Sequence, residues 1–321
     1  MQTAGIAIWL TGWALTTAGA NTLAVTGETK IGYDFGGKPL PRWTGGVLAQ
    51  LDDTVETAPV LRAFDKDGKQ VLDLLITVPD ARFIQVIDYA RGLDGSLAIS
   101  GTGYSGDGRA AAFLTRISSD GQQQKVIRTS PYVPYVVAVA VDGTIWTAGW
   151  EIVDGVLVNP NHDMIRHFDT SGRLLGSFIP RSSLKVYENR VHPAERSHLV
   201  VSHDRIGWYS ELSRVYIEFS PDGSVIDRYP TATLGVNRKV SGVGLCDDGG
   251  LFVSAISHGK PKQPWQVLTL DRVNRNWHAV MPIDNAVRSS GFGVVFGCEG
   301  SALVTTTTRS SELTWFTPRS N

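Results

Sequence analysis

The sequence predicts an all-β protein, a six-bladed β-propeller of four-stranded antiparallel blades, and three observations lead to that prediction. A short pattern, an apolar residue followed by a polar turn that usually ends in glycine, recurs about every 51 residues. The segments between these turns have the length and apolar alternation of strands, and none sustains helical periodicity. A fixed period in this range indicates an array of one supersecondary unit. The pattern occurs at 64–68, 117–121, 168–172, 219–223 and 270–274, with a partial instance at 316–319.

The third unit shows the predicted blade most clearly. Apolar or alternating strands at 136–141 and 144–150 flank an Asp-Gly dipeptide, which suits a tight hairpin turn. A longer connection leads to two further strands, at 164–168 and 173–178, which flank the recurring turn. Each unit therefore contains four short strands, two tight turns and one variable loop.

The sixth unit ends after its third strand, close to the end of the chain. We expect residues 22–26 to supply the missing outermost strand and so to close the ring with an N-terminal strand. A four-stranded sheet cannot bury both faces by itself, and radial repetition covers each face with a neighbouring blade.

The charge of the chain argues against several partners. The formal net charge is −1 over 321 residues, and lysine and arginine are scattered. Without a basic stripe to neutralise phosphates, nucleic acids and acidic membrane surfaces are poor candidates.

The first 20 residues have the layout of a signal peptide. No Lys, Arg, Asp or Glu precedes Glu28, and an apolar run at 4–15 leads to the small residues Ala18-Gly19-Ala20. The run is too short for a transmembrane helix. We expect residues 1–20 to be a signal peptide, residues 21–321 to form a single propeller domain, and the protein to be exported, to the periplasm or outside the cell. A misassigned start or an ordinary first strand is the alternative, because the segment begins without a basic side chain.

The two cysteines, Cys246 and Cys298, are expected to be buried free thiols. They occupy the same place in the sequence pattern of consecutive units, so their side chains should point the same way. An exported protein could instead join them in one disulfide, but that bond requires Cβ atoms about 3.8 Å apart.

Residues 139–178, with VAVDGTIWTAGW at their start and MIRHFDTSGRLLGSF at their end, resemble the NHL-repeat and TolB-like class of six-bladed propellers, of the extracytoplasmic bacterial type. The resemblance extends from about residue 45 to residue 318. It implies the propeller fold, and it leaves the activity open because the class includes ligand-binding scaffolds, lyases and lactonases.

Long connections are predicted on one face of the propeller only, which we call the long-loop face. The hairpin turns within the blades are short and lie on the opposite, short-turn face. This asymmetry is typical of a binding face on a rigid scaffold, although loop drift without function is the alternative. The long segments are 101–109, 151–163, 180–197 and 257–264.

Aromatic and histidine side chains near this face are the candidate binding residues. Exposed rings could stack on sugars or peptide side chains, or they could simply pack between blades, as we expect for Trp146. Histidines beside carboxylates could form an acid–base pair, but no metal-ligand spacing is present, which favours scattered surface histidines. His198 begins an innermost strand and could line the mouth of the channel. The candidates are Trp43, Trp150, His162, Asp163, His198, Trp208, Tyr209, His258 and Trp265.

The resemblance also argues against a metal-dependent lactonase. Gluconolactonase-like propellers hold a divalent cation with acidic and asparagine side chains where the innermost strands begin. No acidic residue stands at the matching positions, which lie near Arg42, Gln85, Tyr135, His198, Ser241 and Phe292.

The sequence therefore favours an exported, monomeric, non-enzymatic binding module that takes a protein, peptide or glycan on its long-loop face. We expect no cofactor and no metal, and no catalytic residue is assigned. The alternatives are a hydrolase or lyase with a channel-mouth site near His198, and a purely structural scaffold.

Overall fold

The computed structural model describes residues 22–31, 39–52, 58–185, 197–231, 234, 238–257, 265–307 and 312–318. The predicted signal peptide at 1–20 and the candidate His258 lie outside these ranges, as do parts of two predicted long loops.

Six antiparallel sheets form the six blades, which confirms the predicted fold. In each blade the strands run from the channel outwards. The first three blades contain β2 (Arg42–Thr44), β3 (Val47–Asp52), β4 (Val60–Asp65) and β5 (Gln70–Leu75); β6 (Phe83–Arg91), β7 (Leu97–Tyr104), β8 (Ala110–Ile117) and β9 (Gln124–Arg128); and β10 (Tyr132–Val139), β11 (Ile145–Val153), β13 (Asp163–Phe168) and β14 (Leu174–Pro180), with β12 (Val156–Leu157) paired to β11.

The last three blades follow the same order. They contain β15 (Ser197–Val201), β16 (Ile206–Ser210), β17 (Val215–Phe219) and β18 (Val225–Pro230); β19 (Arg238–Leu245), β20 (Leu251–Ser257), β21 (Gln266–Asp271) and β22 (Asn276–Ala279); and β24 (Phe292–Glu299), β25 (Ala302–Thr307), β26 (Leu313–Pro318) and β1 (Thr22–Thr29). A short strand, β23 (Met281–Pro282), a six-residue helix, α1 (Asn285–Ser290), and a 3-10 turn at Arg181–Ser183 lie in the connections.

The N-terminal strand closes the ring as predicted. Strand β1 pairs antiparallel with β26, and Val25 lies opposite Phe316. Its other edge pairs with β23, where Thr22 lies opposite Met281. Strand β1 thus completes the sheet formed by the last strands of the chain. This pairing orders a segment near the N-terminus, where domains are often poorly ordered.

The recurring turn has a clear physical cause, which the third blade illustrates. The Oδ1 atom of Asp169 accepts hydrogen bonds from the N–H groups of Ser171, at 2.8 Å, and Arg173, at 2.9 Å. Gly172 has a φ of 81°, a conformation that glycine adopts without strain. A polar residue, Asp or Ser, with glycine three positions later is therefore the pattern of the outer hairpin.

Aromatic and aliphatic side chains between blades make the core. Trp146, predicted to be a core residue, is fully buried. Its ring stacks on His167 of its own blade at 4.1 Å, and its centroid lies 6.1 Å from that of Phe219 in the next blade. Contacts of this kind cover the sheet faces and hold the blades together.

The prediction of free thiols is wrong, because Cys246 and Cys298 form a disulfide with their Cα atoms 5.1 Å apart. In the strand pairing, Leu251 and Leu303 are equivalent. Leu303 lies opposite Phe316, the apolar residue that begins the recurring turn. Phe252 lies opposite Thr269, one residue before the corresponding Leu270. Leu245 lies opposite Leu251, and Cys298 lies opposite Leu303. Cys246 is therefore one position further along its strand than Cys298. A one-residue offset reverses the direction of a side chain, so the two cysteines face each other.

The two innermost strands also approach each other closely at this point. The N–H of Asp247 donates to the carbonyl of Gly300 at 2.9 Å, which joins the turns of the fifth and sixth blades. Blades converge towards the axis of the ring, so the roughly 10 Å spacing of stacked sheets does not apply there.

Two predicted loops are shorter than expected. β7 extends to Tyr104, so the connection to β8 covers only 105–109. The 151–163 segment begins as a hairpin in which β12 pairs with β11. Both extensions rise on the long-loop face beside the channel. In the described part of the chain, no helix is both long and apolar enough to cross a membrane.

Candidate binding site in the central channel

The six innermost strands, β2, β6, β10, β15, β19 and β24, surround a cavity of about 1290 Å³. Each strand begins at the long-loop face and ends at the short-turn face, so the cavity runs through the protein as a central channel. Its long-loop end is lined by Phe83, Gln85, Tyr104, Tyr135, His198 and Lys239. Its short-turn end is lined by Arg91, Leu93, Val141, Asp247 and Glu299.

Bulges in the innermost strands shape the wall of the channel. The register shifts in four of them, including β24, and three share one form. The register shifts between Val86 and Asp88 in β6, and at the corresponding points of β10 and β19. The extra residues are Ile87, Tyr135 and Ser241, and all three line the cavity. A bulge re-aims a side chain and is common beside functional sites. These three blades therefore present a side chain to the channel where a regular strand would turn it between blades.

A buried ion pair joins the first three blades around this channel. Arg42 donates from Nη2 to both carboxylate oxygens of Asp88, at 2.8 and 2.9 Å. Its Nη1 donates to the carbonyls of Tyr89, at 2.8 Å, and Val137, at 3.0 Å. The N–H of Val137 in turn donates to Oδ2 of Asp88 at 2.8 Å. Residues of β2, β6 and β10 are thus connected through one guanidinium group.

Burial raises the pKa of Asp88, whereas Arg42 and the backbone N–H groups oppose that rise. The side chain of Asp88 is 3% exposed, and both of its oxygens already accept hydrogen bonds. Because both oxygens of Asp88 accept hydrogen bonds from the protein, this carboxylate has a structural role and is not available to bind a ligand.

His198 occupies the position in β15 that Asp88 occupies in β6. His198 lies opposite Tyr209, and Asp88 lies opposite Ser100. Tyr209 and Ser100 stand at the same position in the second strands of their blades. The match of His198 with Gln85 in the sequence comparison is therefore wrong, and an acidic residue does stand at one matching position.

Burial lowers the pKa of His198 to about 4, and the nearby charges of Arg42 and Lys239 add to that shift. The imidazole is therefore neutral at neutral pH. Its Nε2 atom is buried without a hydrogen-bond partner among the described residues.

Acidification is expected to destabilise the protein through His198. The unfolded chain, with a pKa of 6.5, takes up the proton before the folded protein does. Stability is therefore highest above pH 6.5 and falls as the pH drops towards 4, by at most about 3 kcal/mol from this group. The His198→Gln variant should lack this contribution, so its stability relative to wild type should rise between pH 7 and pH 4 in urea titrations. An NMR titration of the His198 ring with a midpoint near 6.5 would refute the assignment.

Lys239 is the cationic side chain at the long-loop end of the channel that Asp88 does not neutralise. It lies half-buried near the start of β19 and lines the cavity. Within the described residues it makes no ion pair, whereas the charge of Arg42 is balanced by Asp88. Lys239 and Gln85 lie at the same height along the channel axis, because each stands one residue before the register shift in its own strand. A positive charge therefore remains available at the long-loop end.

Apolar side chains form another part of this end of the channel. Phe83 is 45% exposed, and its ring centroid lies 5.7 Å from that of Tyr104. Val153, on the β11–β12 hairpin, is 47% exposed. Tyr135 and Ile152 also line the cavity and are half-buried. Large apolar groups left open at the mouth of a cavity are typical of a binding site.

Most of the aromatic candidates lie inside the protein. Their exposed fractions are 2% for Trp43, 5% for Trp150, 1% for Trp208 and 3% for Tyr209, and Trp265 is half-buried against the cluster that contains Trp43. Rings that pack between blades have no open face for a sugar or a peptide. Their hydrophobicity is used in the core, so we do not include them in the site, although Trp43 contributes to the channel wall.

The remaining candidates divide between two places. His162 is 3% exposed, its Nδ1 lies 2.5 Å from the carbonyl of Asn159, and its ring lies 6.2 Å from that of Trp150. Asp163 is half-buried at the start of β13. Neither lines the channel, whereas His198 does. Of the predicted residues with ionisable side chains, His198 is therefore the one that belongs to the described cavity.

Several residues of the channel were missed as site candidates. Asp88 follows two apolar residues within β6, and that contrast could have identified it. Lys239, in contrast, stands beside Arg238 at the start of β19 and carried a weaker signal. Tyr135 follows Pro134 within a strand, and proline inside a strand indicates a bulge. Phe83 and Tyr104 carried no comparable signal, because their pairing depends on how far β6 and β7 extend towards the long-loop face.

The donor set of the channel does not fit a divalent cation. No group of three His, Cys, Asp or Glu side chains suited to a metal was found among the described residues. Asp88 is bonded to Arg42, and Lys239 adds a further positive charge nearby. Two cationic side chains oppose a bound cation, so we derive no metal-dependent step.

Comparisons with known proteins leave the family open. The sequence matches no protein-family model and no curated protein. Among solved structures, a Bacteroides caccae protein of unknown function is 13% identical, with a TM-score of 0.49 and 81% of each chain covered. A luciferin-regenerating enzyme is 13% identical, with a TM-score of 0.48 and coverage of 91% of this chain and 92% of that one. A gluconolactonase from Xanthomonas campestris is 15% identical, with a TM-score of 0.44 and coverage of 92% and 98%. Similarities at this level carry no argument about activity.

Proposed function

We propose that this protein is an exported binding module that takes its ligand in the long-loop end of the central channel. The observation that carries the proposal is the meeting of three features in one cavity. They are Lys239, which makes no ion pair among the described residues, the neutral ring of His198, and an open apolar wall around Phe83. An open apolar surface with a few convergent polar groups is the usual composition of a ligand pocket.

The same geometry argues for binding rather than catalysis. A general base of the histidine type is normally oriented by a carboxylate. The carboxylate at the equivalent position of the second blade, Asp88, is bonded to Arg42 and Val137 instead. Within the described residues, no carboxylate is bonded to His198, whose Nε2 atom has no hydrogen-bond partner. The catalytic alternative therefore has less support.

The size of the channel is compatible with the partners that we expect. A volume of about 1290 Å³ exceeds the 300–1,000 Å³ of ordinary small-molecule pockets. It would admit a glycan, a peptide segment or a side chain of a protein partner. The Cys246–Cys298 disulfide supports the proposal of export, because stable disulfides form in oxidising compartments. We further propose that the protein acts as a monomer.

Blocking the channel tests the proposal. Ser241 is half-buried on the bulge of β19 and lines the cavity, so Ser241→Phe places a ring in the passage. The purified wild-type protein, incubated with an extract of its source cells, should retain a ligand detectable by native mass spectrometry. The variant should lose that ligand.

A matched surface variant controls for the added ring. Ser224, on an outer turn of the fourth blade, is exposed, and Ser224→Phe leaves the channel unchanged. This control should bind as wild type does. Equal retention of the ligand by Ser241→Phe and wild type would show that the channel is not the site.

A further inference from the structure

We propose that the ligand is an organic anion with an aromatic or otherwise apolar group, whose charge is bound by Lys239 and whose apolar group packs on Phe83, Tyr104 and Val153. This inference rests on the proposed function, and it adds the chemical class of the ligand.

The distribution of charge along the channel favours an anion at the long-loop end. Two acidic residues line that end, and one of them, Asp88, is neutralised by Arg42. The other, Asp154, lies exposed at the tip of the β11–β12 hairpin. The positive charge of Lys239 is therefore not balanced by an ion pair among the described residues.

The short-turn end has a different character. Asp247 and Glu299 line it beside Arg91, and Glu299 also accepts a hydrogen bond from Nε1 of Trp315 at 2.7 Å. Two carboxylates there would repel an anion, so the charge pattern directs an anionic ligand to the opposite end.

Uncharged donors support the same site. The hydroxyl of Tyr104 donates to Oε1 of Gln85 at 3.3 Å, which leaves the amide NH₂ group of Gln85 as a donor. Gln85 is exposed and level with Lys239. A neutral histidine, His198, lines the cavity as well. Donors and a lysine suit anionic oxygens, because hydrogen bonds to a charged group are the strong ones.

The apolar group has its own surface next to Gln85. Phe83 and Gln85 stand two residues apart on β6, so they project from the same side of the strand. Lys239 belongs to the fifth blade, which faces the second blade across the channel. A single molecule that packs on Phe83 and pairs with Lys239 would therefore span the channel, with Gln85 beside its apolar group. Purely inorganic anions and neutral sugars would leave one of the two surfaces unused.

A pair of matched probes tests the inference. The probes are 1-naphthylacetate and its neutral isostere 1-naphthylacetamide, titrated into the full protein by isothermal titration calorimetry. Wild type should bind the carboxylate at least about tenfold more tightly than the amide, which is the expected gain from a charge-assisted hydrogen bond. Lys239→Gln should abolish this preference, and Lys239→Arg should keep it. Phe83→Ser should weaken the binding of both probes by similar factors.

A remote lysine provides the control for net charge. Lys125→Gln removes an exposed lysine from β9, an outermost strand, and should leave both affinities unchanged. Equal binding of the two probes to wild type, a preserved preference in Lys239→Gln, or no binding of either probe would overturn the inference. None of these results would affect the blocking experiment with Ser241→Phe, so a wrong ligand class can be distinguished from a wrong site.

Discussion

Replacing Arg42 by methionine is expected to lower the free energy of unfolding by about 3–5 kcal/mol, the usual cost of removing one partner of a buried ion pair. The substitution leaves Asp88, 3% exposed, without its counter-ion. It also deprives the carbonyls of Tyr89 and Val137 of a donor. Urea titrations at pH 7, followed by tryptophan fluorescence, would measure the effect.

Two further variants show whether the loss of stability comes from the unpaired carboxylate of Asp88. Arg42→Met/Asp88→Leu removes both charges and should recover much of the lost stability, because paired apolar groups often replace a buried ion pair at little cost. Arg173→Met breaks an exposed pair with Asp169 and should cost less than about 1 kcal/mol. If Arg42→Met were as mild as Arg173→Met, the ion pair would not hold the three blades together.

Loss of the disulfide is the second large effect. Cys246→Ala/Cys298→Ala should lower the free energy of unfolding by about 4 kcal/mol, the value that the loop-entropy relation predicts for a loop of this length. The bridge spans 52 residues and joins the innermost strands of the fifth and sixth blades. Without it, the unfolded chain gains conformational freedom that folding must again remove.

Labelling of thiols provides the direct check on this bond. Wild-type protein that is unfolded without reductant should react with no alkylating reagent, and after reduction it should take up two equivalents. Reaction of both cysteines before reduction would mean that they are free. Comparison with reduced wild-type protein, which lacks the bridge but keeps both side chains, would separate the loss of the bridge from the change in packing at the fully buried Cys246.

Much of the fold could be predicted because the residues that each strand and turn requires lie close together in the sequence. The hairpin turn needs an acceptor and a left-handed residue, which Asp169 and Gly172 supply. The closing strand at the N-terminus followed from a sixth unit that lacked its fourth strand. The cysteines were misjudged for a different reason. Their places in the sequence pattern match, but the strand pairing displaces one by a single residue, and that shift is invisible without the hydrogen-bond register.

The site was harder to predict than the fold. Arg42 and Asp88 lie 46 residues apart, and their pairing depends on the curvature of the whole ring. Bulges that turn Tyr135 and Ser241 towards the channel add one residue without changing the apolar pattern. Aromatic residues near strand ends suggested an exposed surface, but the blades bury them. The long-loop face was the part of the site that loop length alone could indicate.

A crystal structure of the protein with its captured ligand tests the central claim most directly. We predict density for the ligand in the channel at the long-loop end, in contact with Phe83, Lys239 and Ser241. A ligand bound on the short-turn face or on the outer strands, with no ligand in the channel, would contradict the account.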